Sequence, residues 1–139
     1  RFGVQPKVAM LSFSNFGTSE ELRTDRIEEA ISIARELDSD LVIDGPMQVD
    51  TALVPDIQAD YPFMAFDGPA NVLICPNLAS ANIAYKLLQR IAGAEMTGPI
   101  LEGLSKPAHV LQRGDSVRDV VHMAAICAVD AQRHARQRL

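Results

Sequence analysis

The 139-residue chain is long enough for one domain with its own core, and 47% hydrophobic with 22% charged residues is a globular composition. The net charge of −5 argues against broad nucleic-acid binding, which needs a basic face, but leaves room for a small anionic ligand held by helix N-termini and one or two arginines. No apolar run approaches the roughly 20 residues of a membrane span and no signal peptide is visible, so a cytoplasmic protein without a membrane partner is expected.

The chain opens Arg-Phe-Gly, with no initiator Met, and is expected to be a piece of something longer. "KVAMLSF" (Lys7 to Phe13) is a nearly continuous apolar run bounded by polar turn residues, as in a buried parallel strand. In "SNFGTSEE", Thr18 and Glu21 have capping-box spacing and predict a helix from near Ser19. Ile27, Ala30, Ile31, Ala34 and Leu37 then recur at helical spacing. "DLVID" predicts a second buried strand cut off by Gly45-Pro46, and "ANVLICP" a third ended by Pro76. Between them "TALVPDI" and "DYPFMAFDGP" read as irregular, with one short helix near Thr51.

"ASANIAYKLLQRIAG" predicts a helix with Ala84, Leu87, Leu88 and Ile91 on one face and Gly93 as its C-cap. "GPILEGL" is compatible with a short fourth strand. The final helix is the clearest element. Ser116 and Asp119 form a second capping box, and Val117, Val120, Val121, Ala124, Ala128 and Ala131 an apolar stripe. Arg133, His134, Arg136 and Arg138 crowd its far end, where positive charge complements the helix dipole. Strands alternating with helices imply a mainly parallel sheet covered on both faces, an α/β architecture of three αβα layers.

Ligands of open α/β sheets bind beyond the C-terminal ends of the strands. Those ends carry "SFSNFGTS", "DGPMQVD" and "PNLASAN", all rich in Ser, Asn, Gly and Asp. The first supplies Ser12, Ser14, Thr18 and Ser19 beside a helix start, which suits a phosphate; the plainer alternative is ordinary caps and turns. No Gly-rich nucleotide fingerprint and no Cys or His pair at metal spacing is present. Cys75 and Cys127 read as reduced, buried fillers. His109, His122 and His134 are scattered, the last two expected on helix surfaces. Arg113, in Arg113-Gly114, and Lys106 are the cations on short loops. Arg113 suits bidentate phosphate binding or, alternatively, a surface salt bridge to Asp115 or Asp119.

Five blocks in order, "VAMLSFSNFGTS", "DGPMQVDTALVP", "ANVLICPNLASANIAYKLLQR", "GPILEGLSKP" and "LQRGDSVRDVV", resemble phosphate acetyltransferases from about Lys7 to Gln132. That resemblance implies the two-domain phosphotransacetylase fold, an isocitrate/isopropylmalate dehydrogenase-like architecture, with a cleft between αβα domains. Residues 1–110 would be part of the second domain, and 111–139 the C-terminal helix that returns to the first. It also implies the family's interconversion of acetyl-CoA plus phosphate with acetyl phosphate plus CoA. Arg113 would hold phosphate, Asp119 would act as base on the CoA thiol, and Ser12, Ser14, Gly98 and Pro99 would line the acetyl-CoA and phosphate site.

Where the resembling enzymes read Asn-Asp-Leu-Ser-Arg-Gly, this chain reads His109-Val110-Leu111-Gln112-Arg113-Gly114. The serine donor of the family is thus Gln112, and losing one transition-state donor costs on the order of 10²–10³ in rate. The site is expected to be degenerate, with no catalytic residue assigned.

"LSFSNFG", "HVLQRGDSVRD" and "VDAQ" resemble in particular the phosphotransacetylase-like C-terminal domain of bacterial NADP-dependent malic enzymes. There the NADP and divalent-metal sites belong to a separate malic domain, so this chain would carry neither cofactor nor metal. Acetyl-CoA or a related acyl-CoA would act as effector, in a homo-oligomer. Two alternatives stay open: an active phosphate acetyltransferase, and a purely structural dimerisation module.

Overall fold

In the computed structural model, which describes residues 3–17 and 24–136, β1 (Lys7–Leu11) is the middle strand of a parallel sheet ordered β2-β1-β3. β2 is Val42–Met47 and β3 is Val72–Ile74. The unbroken apolar run of β1 follows from this position, because both of its faces are covered. Val8 points to a cluster with Ile31 and Ile43, against which Met10, Ile27 and Ala34 pack. Ala9 and Leu11 point to the other face, where Met47, Ala52, Phe66 and Ala70 close the core. The first face is covered by α1 (Asp25–Leu37), the second by α2 (Val49–Leu53) and the chain from Met64 to Ala70. α3 (Pro55–Gln58) follows α2, and buried Gln58 donates from Nε2 to the carbonyls of Thr51, Ala52 and Gly68.

β2 corrects one expectation. It does not end at Gly45-Pro46 but runs through that pair, whose peptide bond is cis, to Met47. Ala9 pairs with Asp44 and Leu11 with Met47, so β2 carries one residue more than β1 over this stretch. A residue inserted in this way bends a strand and flips its facing. Ile43 therefore faces α1, whereas Met47 reaches the opposite core. Gly45 makes the insertion possible: its φ is +136, and a Cβ built there would stand 2.6 Å from the Met10 carbonyl oxygen.

Two helix expectations also change. α1 begins at Asp25, with Thr24 at the N-cap position making no side-chain capping bond. The Thr18–Glu21 capping box and the start near Ser19 lie outside the described residues. Leu37, placed on the apolar stripe by spacing, is 83% exposed at the helix end. α4 (Leu78–Ile91) forms as expected, and Gly93 is left-handed at φ +64, with Ala94 N–H bonded back to the Leu88 carbonyl at 3.2 Å. Its expected apolar face is not buried: Ala84, Leu87, Leu88 and Ile91 are all exposed.

"GPILEGL" forms no strand; the chain from Thr97 to Leu104 is irregular, with a second cis bond at Gly98-Pro99. α5 (Val117–Arg136) starts where its capping box places it, but Val117, Val120, Val121, Ala124, Ala128 and Ala131 are exposed. Met123 and Asp130 are its buried residues. The apolar stripes that periodicity marks on α4 and α5 are thus not their packed sides, and no described residue covers them. The two cysteines are free thiols and half-buried rather than fully buried.

The chain divides into two compact units, Val4–Lys86 and the described residues from Leu87 onward, with the division inside α4. No helix among the described residues is long and apolar enough to cross a membrane.

Candidate functional site

The first unit contributes the loop after β1. Ser12 N–H bonds to the Met47 carbonyl at 2.8 Å, which continues the sheet by one residue. Ser14 is buried. Asn15 accepts the Gln48 N–H at 2.7 Å and donates to the Tyr61 hydroxyl at 3.1 Å. Phe16 adopts φ +46, bonds its N–H to the Pro46 carbonyl at 2.7 Å, and packs against Tyr61 and Phe63 at centroid distances of 5.2 and 4.8 Å. A non-glycine residue held at positive φ is costly, so this loop is tightly specified by its neighbours. Thr18 and Ser19, the remainder of the expected phosphate loop, lie outside the described residues.

The second unit carries Gly98, Pro99, Gln112, Arg113 and Asp119. Its centre is the turn from Gln112 to Asp115. The Gln112 N–H donates to Asp115 Oδ2 at 2.6 Å, and the Asp115 N–H returns a bond to the Gln112 carbonyl at 3.1 Å. Gly114 takes φ +96, which a side-chain-bearing residue adopts poorly. The turn leads directly into the capping box. Ser116 donates to Asp119 Oδ2 from its N–H at 2.8 Å and from its hydroxyl at 2.7 Å, and Asp119 N–H bonds to Ser116 Oγ at 3.2 Å.

These bonds set the acidity of Asp119. The Ser116 hydroxyl, then its N–H, holds the carboxyl below the ordinary value of 3.8; His122 and Arg118 add smaller pulls in the same direction, against some opposing desolvation. Asp119 is therefore a carboxylate at neutral pH and a weaker proton acceptor than an ordinary aspartate. A group with a depressed folded pKa adds stability above its unfolded pKa and loses it as pH falls through the folded one. Ser116→Ala is accordingly expected to lift the Asp119 pKa towards 3.8 and to lower the melting temperature near neutral pH. The melting gap should narrow on acidification below that range. An NMR titration of the carboxyl carbons, run beside melts at neutral and acidic pH, checks both; an unmoved Asp119 would refute the assignment of cause.

Asp119 lines a cleft of about 250 Å³ together with Glu95, Thr97, Ser116, Arg118 and His122. Thr97 brings the Gly98-Pro99 bend to this cleft, but Gln112 and Arg113 are not part of its lining. Two cations belong to this neighbourhood and differ in state. Arg118 is clamped to Glu95 by paired bonds of 2.6 and 2.7 Å. Arg113 makes no ion pair among the described residues, so the alternative of a salt bridge to Asp115 or Asp119 is not seen there. An exposed guanidinium with its donors unengaged can meet an incoming anion bidentately. His122 lines the cleft from the half-exposed surface of α5, and His134 bonds through Nδ1 to the Asp130 carbonyl at 3.0 Å. A larger cleft, about 390 Å³ over α1 and β2, is lined in part by Arg35 and Asp44; it holds none of Ser12, Ser14, Gly98, Pro99, Gln112, Arg113 and Asp119. Arg35 is already engaged there, donating to the Ile43 carbonyl at 2.7 Å.

One feature of this unit escaped sequence reasoning. His109 and Asp130 meet at 3.0 Å with side chains 2% and 5% exposed. They are 21 residues apart in the chain, and no local spacing announces such a pair. Among the described residues no three His, Cys, Asp or Glu side chains gather as a metal site.

The phosphate acetyl/butaryl transferase family model matches residues 1–128. The chain is 47% identical to a phosphate acetyltransferase of Acetivibrio thermocellus, over 94% of this chain and 40% of that protein. It is also 47% identical to an NADP-dependent malic enzyme of Salmonella typhimurium, over 95% of this chain and 18% of that protein. A phosphotransacetylase of Streptococcus pyogenes superposes with a TM-score of 0.87 at 43% identity, over 94% of this chain and 40% of the other. The chain thus spans about two-fifths of the phosphate acetyltransferases and under one-fifth of the malic enzyme. Its parallel α/β sheet has its counterpart in that fold, and the chain belongs to the phosphate acetyl/butaryl transferase family.

Proposed function

We propose that this chain is part of a phosphotransacetylase-like regulatory domain of an NADP-dependent malic enzyme, which binds acetyl-CoA or a related acyl-CoA as an effector rather than turning it over. The observation that carries this reading is Gln112, which heads the hydrogen-bonded turn before the cleft where the resembling enzymes carry a serine. A glutamine amide can donate a hydrogen bond, but it is longer and would displace the reacting carbonyl. Asp119, held by Ser116, is a weak base for a thiol proton. Arg113 remains available to an anion. Binding elements are kept while the chemical step is weakened.

Regulation then requires only that acyl-CoA bind one arrangement of the parent enzyme better than another, and coupling energies of about 1–3 kcal/mol are typical. The parent would decarboxylate malate oxidatively to pyruvate, using NADP and a divalent metal held elsewhere.

Titration calorimetry of the full-length protein with acetyl-CoA, beside its Arg113→Ala variant, tests the reading. Binding weakened about tenfold by the substitution is expected, the scale of one lost charge-assisted hydrogen-bonded contact. Acetyl-CoA formation from acetyl phosphate at an ordinary enzymatic rate would overturn the reading in favour of an active transferase. The uncovered apolar faces of α4 and α5 favour one further reading, a structural module joining copies in a homo-oligomer. An intact oligomer giving no heat at millimolar acetyl-CoA would establish it.

A further inference from the structure

We propose that His109 is the positioning residue of the cleft, its imidazole fixing where the Thr97–Leu101 segment stands against α5; this rests on the acyl-CoA reading above. The side chain is 2% exposed. Leu101 N–H approaches Nδ1 at 3.3 Å, and Nε2 lies 3.0 Å from Asp130 Oδ2. A backbone N–H can only donate, so Nδ1 carries the lone pair, and Nε2 carries the proton and gives it to the carboxylate. One tautomer thus serves two partners of opposite kind.

Those partners belong to the stretches that build the site. Leu101 ends the segment that begins at Thr97 in the cleft wall. Asp130 lies on α5, whose first turn carries Asp119. His109 itself stands just before the Gln112–Asp115 turn, and the Cys127 thiol holds the same approach to α5 through the Pro107 carbonyl at 3.9 Å. Where the resembling enzymes carry asparagine, this chain has a side chain long enough to span both partners.

A plain structural role would make His109 buried glue, affecting stability alone. Two substitutions separate the roles. In His109→Gln the amide N–H replaces the Nε2 donor, and the acceptor facing Leu101 is lost. In His109→Asn the side-chain carbonyl replaces the Nδ1 acceptor, and the reach to Asp130 is lost. In the full-length protein, calorimetry with acetyl-CoA is combined with hydrogen exchange of a peptide covering Leu101.

The positioning role predicts that folded His109→Gln binds acetyl-CoA roughly tenfold more weakly and exchanges the Leu101 amide faster. His109→Asn should melt lower yet keep both properties near wild type. A folded His109→Gln protein with unchanged affinity and unchanged Leu101 exchange overturns the proposal, whether or not the Asn variant folds. A wild-type protein that gives no acetyl-CoA heat sinks the effector reading instead. The exchange measurement then decides alone: faster Leu101 exchange in the Gln variant supports positioning, and equal exchange overturns it.

Discussion

Replacing Gly45 with alanine is expected to destabilise the protein by about 2–4 kcal/mol, the combined scale of a strained backbone and an overpacked core. Two effects act at one atom. The φ of +136 lies where side chains are poorly tolerated, and the added Cβ would sit 2.6 Å from the Met10 carbonyl oxygen and 3.0 Å from Met10 Cβ. Neither neighbour can swing away, because Met10 is in the central strand and paired to Ile74 on its other side. Relief would require β2 to slide, which would draw Met47, fully buried, out of the core. Gly93→Ala provides the contrast. Gly93 has φ +64 but nothing within 4 Å of a built Cβ, so only the left-handed backbone cost of about 1 kcal/mol is expected there. Urea melts of both variants measure the difference. A Gly45→Ala loss no larger than that of Gly93→Ala would mean that the inserted residue in β2 has room the geometry does not show.

The same bulge marks a limit of what the sequence reveals. The three strands were legible because buried parallel strands are continuous apolar runs, and α1, α4 and α5 because their apolar residues recur at helical spacing. Gly45-Pro46 read as a terminator, since both residue types end strands more often than they continue them. Only the pairing with β1 shows that an extra residue is accommodated there. "GPILEGL" failed for the opposite reason: its short apolar pattern fits a strand, but strands exist only by pairing, and no described residue pairs with it.

The capping box at Ser116 and Asp119 was fully legible, being a contact between residues three apart, and its bonds form as expected. That local success carries a chemical consequence, because the bonds that start α5 are the bonds that acidify Asp119. The His109–Asp130 pair shows the converse. It joins two residues of no suggestive spacing, and a lone histidine gives no hint of its partner. Burial failed along the outer faces of α4 and α5, where periodicity reports which side is apolar and says nothing of what covers it.

The largest effect is expected from Gln112→Ser, which restores the residue type of the resembling transferases. If Gln112 is the position at which the chemical step has been disabled, full-length protein carrying this substitution should form acetyl-CoA from acetyl phosphate on the order of 10² faster than wild type, the usual worth of one transition-state donor. The geometry favours a local change. The Gln112 N–H and carbonyl already close the turn through Asp115, so the backbone bonds that shape it do not depend on the side chain. Gly114 and the capping box are likewise untouched. The gain stops short of an ordinary transferase because Asp119 remains a weak base while Ser116 holds it. Combining Gln112→Ser with Ser116→Ala should therefore add to the rate rise by making Asp119 a stronger base, visible as an acidic limb of the pH–rate profile moved to higher pH. Gln112→Ala is the control, supplying space without a donor, and should stay at the wild-type rate. A folded Gln112→Ser protein that binds acetyl-CoA yet gains no more than the alanine control would show that the missing donor is not what silences the site.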